Sequence, residues 1–152
     1  MRNLEAWLKE YSVSHKNPTN KTIHNYCVPL IVLSILGMLW AIPTPEAFQF
    51  NPFMNWATLF ILLSHLFYFS LGIVVGIFMS LISALMLGIC YLVGPSLGLP
   101  LLEISIVVFV LSWIGQFIGH KIEGKKPSFF EDLQFLLVGP LWVFYPLFSR
   151  FL

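Results

Sequence analysis

Charge is nearly absent from this chain. Asp, Glu, Lys and Arg make up 10% of its 152 residues, where a soluble domain carries about 25%. A net charge of +1 leaves no basic field for a polyanion, so no nucleic-acid partner is expected. Cysteine is scarce as well: Cys27 and Cys90 alone, which the topology derived below puts at opposite membrane faces, so no disulfide between them is expected. The opening stretch, "MRNLEAWLKEYSVSH", lacks the apolar run of a cleavable signal peptide. No repeat of fixed period and no low-complexity tail is present.

What fills the chain is apolar. Hydrophobic residues make up 58% of it and mean hydropathy is +0.85. The expectation is one integral membrane domain over residues 1–152: an all-α, polytopic helical bundle. Four spans are read. The first covers about Thr22 to Ile42 and stops at "IPTPE". Met54 to Val93 holds no charged residue; forty helical residues would measure roughly 60 Å, twice the hydrocarbon thickness. That stretch is therefore two spans, folded back near Ser70 to Gly72. The fourth covers about Leu102 to His120. "SFFE", Ser128 to Glu131, has the form of a capping box opening a fifth helix, which Pro140 and Pro146 break. Ahead of the spans, Leu4, Trp7, Leu8 and Tyr11 form one apolar stripe, the mark of an interfacial helix. Asn17-Pro18 reads as cap and first residue of the helix that follows.

The eight basic residues orient these spans. Arg2, Lys9, Lys16 and Lys21 lie before the first, and Lys121, Lys125, Lys126 and Arg150 after the fourth. Glu46 and Glu103 are the acids between them. Four spans return the chain to the side it started from, and the positive-inside rule makes that side cytoplasmic. We expect a bacterial inner-membrane protein rather than one of the endoplasmic reticulum, with a cytoplasmic N-terminus.

Chemistry concentrates at that edge. His15, Asn20 and His24 stand in "HKNPTNKTIH", with Asn20 and His24 one turn apart on one face. In the fourth span Trp113, Gln116, His120 and Glu123 follow one another at steps of three, four and three. Ser112, Gly115 and Gly119 line another face, small enough for a neighbouring helix to approach closely. Imidazoles with a carboxylate suit iron, zinc or manganese. The bland alternative is a set of polar residues facing water and headgroups. His65 stands apart inside the second span, where an ionisable group is a functional candidate by default. The tryptophans at 40, 56 and 142, and Tyr68, read as interface or packing aromatics.

"YSVSHKNPTNKTIHNYCVP" and, further on, "SWIGQFIGHKIEGKKP" followed by "LLVGPLW" resemble the two signatures of a family of small membrane proteins. That family contains 2-hydroxy fatty acid dioxygenases of fatty-acid α-oxidation, and the resemblance runs through nearly the whole chain. It implies a non-haem enzyme that depends on Fe(2+), uses molecular oxygen and shortens a 2-hydroxy fatty acid by one carbon in contact with membrane lipid. It carries His15, His24 and His120 over as iron ligands. Asn20, Gln116 and Glu123 become their supports, with Glu123 also counted in the catalytic set. Glu123 follows His120 by three residues rather than four, which favours a supporting place over ligation. Two other classes stand beside this reading: a non-catalytic membrane protein with a structural metal site, and a small proton-coupled transporter using His65 and Glu123.

Overall fold

Residues 3–124 and 135–152 are described by the structure, a computed structural model. The N-terminal stripe becomes helix α1, Leu4–Ser12, opened by Asn3, whose Oδ1 accepts the Ala6 N–H at 2.9 Å. A short turn leads to Asn17. Its side chain accepts the N–H groups of Thr19 (2.9 Å) and Asn20 (3.4 Å) and so opens α2, Pro18–Ala41. Proline at the first helical position forgoes only an N–H that would have no partner in the helix. A 3₁₀ turn at Glu46–Phe48 follows, then α3, Trp56–Leu71, capped by Asn55. Gly72, at φ 144°, breaks the chain where the length argument asks for a fold-back, and α4 runs over Ile73–Tyr91. A π turn, Leu92–Ser96, ends it. Helix α5 is Leu101–Glu123 and α6 is Val138–Phe148.

The described residues are thus helical without strands. Three stretches are long and apolar enough to cross a membrane: Pro18–Ala41, Ile73–Ser96 and Leu101–Glu123. Helix α3 is equally apolar but has 16 residues, roughly 24 Å at 1.5 Å each, so its length alone does not make it a fourth. Helix α6, with 11 residues and Pro146 inside it, falls well short of a span. The capping box at Ser128 to Glu131 lies outside the described residues, as do Lys125 and Lys126.

The chain divides into two compact units, Met1–Val32 with Val110–Leu152, and Leu33–Phe109. In the second unit α3 and α4 form a hairpin about Gly72. Ser64 and Tyr68 of α3 and Val75, Met79, Met86 and Cys90 of α4 are buried there. Gly37 of α2 sits against Ser105 of α5, a close approach that only the smallest side chains permit.

In the first unit α1 lies on α6. Trp142 Nε1–H donates to Ser12 Oγ at 2.9 Å, and the Tyr11 and Trp142 rings stand 5.4 Å apart. The interfacial stripe is therefore at least partly turned onto protein: Tyr11 is buried. The small face of α5 meets α2 as its spacing predicts. A Cβ at Gly115 would come 2.7 Å from Cys27 Sγ, and one at Gly119 would strike Asn20 Oδ1.

Polarity is inverted relative to a soluble domain. Leu62, Leu66, Leu81, Leu85, Val107 and Leu111 are all exposed, while His15, Asn20, His24, Ser112, Gln116 and His120 are buried. Aliphatic side chains facing outward along apolar helices match a hydrocarbon solvent, and the polar groups retreat inward.

Candidate metal centre

Three imidazoles converge in the first unit. A ring nitrogen from each of His15, His24 and His120 lies within 4.8 Å of the others, and all three side chains are buried. Ring centroids are 4.3 Å apart for His15–His24, 4.9 Å for His24–His120 and 5.8 Å for His15–His120. Two nitrogens bound to one ion at about 2.1 Å lie at most about 4.2 Å apart, so closing the triad on a metal needs side-chain adjustment well under a bond length.

Local structure prepares two of the rings. His15 Nδ1 lies 2.7 Å from the Tyr11 carbonyl, and His24 Nδ1 lies 3.0 Å from the Asn20 carbonyl. A carbonyl oxygen only accepts, so each Nδ1 carries the hydrogen and each Nε2 carries the lone pair that binds metal. His24 and Asn20 are a helical i,i+4 pair. His15 reaches back four residues from the turn after α1. His15 is also fixed by its neighbours: the Tyr11 ring stacks on it at 4.2 Å and the Trp142 ring stands at 5.3 Å.

Glu123 supplies the anchor. Its carboxylate accepts the backbone N–H groups of Lys16 and Asn17, each at 2.9 Å, and the Asn20 Nδ2–H at 3.0 Å. Asn20 Nδ2 also donates to the Ser14 carbonyl at 3.2 Å. The end of α5 thereby holds the turn that carries His15 and the first turn of α2. Gly119 lets this happen: with no side chain it admits Asn20 and brings His24 Cε1 to 3.3 Å of where a Cβ would stand.

A donor set of three buried nitrogens, two with their tautomers set by backbone, fits a borderline divalent ion such as iron or zinc.

Residues 1–151 match the model of the family described as "2-hydroxy-palmitic acid dioxygenase Mpo1-like". The chain belongs to that family. Among Mpo1-like relatives it is 26% identical to the 2-hydroxy-palmitic acid dioxygenase MPO1 of Saccharomyces cerevisiae over 144 residues, covering 93% of this chain and 78% of that one. No solved structure matches the chain.

For this Mpo1-like chain the structure brings together His15, His24, His120, Asn20 and Glu123. Glu123 binds backbone and amide hydrogens, on the flank of the histidines. Gln116 is buried one turn from His120. His65 belongs to the second unit, where its Nδ1 lies 2.7 Å from the Ile61 carbonyl. Two neighbours of the site were not singled out from sequence. Tyr11 had a legible signal, standing four residues before His15 on one stripe. Trp142 had none, since nothing in spacing places a residue of α6 against the turn after α1.

Proposed function

We propose that the chain is an iron(II)-dependent dioxygenase that shortens a 2-hydroxy fatty acid by one carbon at the cytoplasmic edge of the membrane. The observation that carries this is the triad of buried imidazoles in a chain of the Mpo1-like family. In the balanced reaction the C1–C2 bond breaks and C2 is oxidised to a carboxyl group. Dioxygen is reduced, and the lost carbon leaves as carbon dioxide together with water. Iron(II) bound by His15, His24 and His120 would supply Lewis acidity and redox capacity.

The chain's own residues do the positioning. His15 and His24 present Nε2 because their Nδ1 hydrogens are held by carbonyls. Glu123 and Asn20 tie the His15 turn to α2 and α5, so the triad is organised before a ligand arrives. Tyr11 and Trp142 cover His15 with aromatic surface and keep bulk water from its ring. The apolar outer faces of the helices suit an acyl tail, while Lys16 and Lys121 directly follow His15 and His120 in the chain, positive charge that suits the carboxylate end of an amphiphile.

The test is to load the purified protein with iron(II) without oxygen, then admit oxygen and 2-hydroxy-palmitic acid and read the lipids by mass spectrometry. An acid one carbon shorter, formed only with iron and oxygen, is the expected product. Stoichiometric iron without any shortened acid would leave a structural metal site.

A further inference from the structure

One buried polar side chain near the triad is not hydrogen-bonded to it. Gln116 is 4% exposed, and its side chain makes no hydrogen bond among the described residues. It lines a chamber of about 30 Å³ together with Tyr11, Val28, Trp113, Leu136 and Pro140. A polar amide that opens onto a largely apolar chamber calls for an explanation.

The chamber is lined by immediate neighbours of the three histidines. The Tyr11 ring stacks on His15. Val28 follows His24 by four residues on α2, and Gln116 precedes His120 by four on α5, so each pair shares a helix face. A volume of this size admits about two water-sized groups: a hydroxyl and the carbon that bears it, and no acyl tail.

We propose that Gln116 is the specificity-determining residue that reads the 2-hydroxyl of the substrate. This rests on the hydroxy-acid reading above. A primary amide donates and accepts, as a hydroxyl does. An ionised carboxylate only accepts, and it is costly to place among Val28, Trp113, Leu136 and Pro140; it stays with the histidines. A site built to pair with a hydroxyl discriminates strongly against the analogue that lacks it, because the site's own polar group is then left bare.

Equilibrium binding under anaerobic conditions tests this without turnover. Dissociation constants for 2-hydroxy-palmitic acid and for palmitic acid are measured on the full iron-loaded protein and on Gln116→Leu, with iron content checked in both. The expected result is a preference for the hydroxy acid in the wild type that falls about tenfold or more in the variant, through loss of hydroxy-acid affinity alone. Gln116→Met gives the same reading if the leucine variant folds poorly. A variant that keeps the wild-type preference overturns the proposal and leaves the amide serving a bound water or the fold. A wild type with no preference for the hydroxy acid would instead sink the substrate reading, and this inference with it.

Discussion

His24 has no exposed surface, and its Nδ1 is committed to the Asn20 carbonyl; its value to the protein lies in the other nitrogen. We expect His24→Ala and His120→Ala each to lose iron binding and turnover together, with iron counted per chain by atomic absorption. Iron retained at full occupancy by His120→Ala would remove the triad. Glu123 gives a graded case. Three N–H groups converge on its carboxylate, and its removal frees the His15 turn without deleting a ligand. Supporting groups of this kind are worth roughly 10–100-fold in metal affinity, so Glu123→Ala should speed iron release by about that factor in a chelator-competition assay. An unchanged release rate would mean that the His15 turn holds itself. Iron affinity should also weaken as pH is lowered, because imidazole must be neutral to ligate.

At the scale of elements, two glycines decide how helices meet. Gly119 has Asn20 and His24 against it, so Gly119→Leu should cost roughly 1–3 kcal/mol by overpacking. The reading is a lower melting temperature in detergent together with weaker iron binding, since the same contact supports the triad. A variant that melts like the parent would put that face in lipid. Gly72 ends α3 at φ 144° with open space around it. The difficulty there is backbone conformation rather than crowding, and Gly72→Val should destabilise by roughly 1–3 kcal/mol, a loss seen as a lower melting temperature without change in iron stoichiometry. The contrast between the two positions separates a hinge in the second unit from a contact in the first.

For the whole molecule the charge distribution sets the expected topology. Positions 16 and 121, flanking the long spans, should face the cytoplasm, and position 46 the opposite side. Single cysteines at these positions, in a chain with Cys27 and Cys90 replaced, can be labelled with a membrane-impermeant maleimide. Labelling of 46 and 121 from the same side would overturn the orientation. Glu123 bonded to the backbone of Lys16 and Asn17 ties the end of α5 to the start of α2, in keeping with position 16 and position 121 sharing one side.

The helices were legible because their signals are local. Apolar runs, the Asn3, Asn17 and Asn55 caps and the Gly72 break act within a few residues of themselves, and a hydrocarbon solvent makes helical backbone pairing obligatory. The small face of α5 was legible for the same reason, since helix period alone places Gly115 and Gly119 together. The individual histidines stood out because a chain so poor in charge has little reason to place imidazoles at a membrane edge. The shortness of α3 was legible in the same bounds, since Met54 and the fold-back near Ser70 to Gly72 leave it about the 16 residues it has, although it was counted as a span. The closing of the site was not legible. His15 and His120 are about a hundred residues apart in sequence, and Trp142 lies beyond both. Their distances depend on α5 approaching α2 at Gly119, on Glu123 gripping the His15 turn and on α1 lying against α6, contacts between distant segments that no periodicity encodes. The same holds for Gln116: the sequence places it one turn from His120, but only packing decided that it would line an apolar chamber.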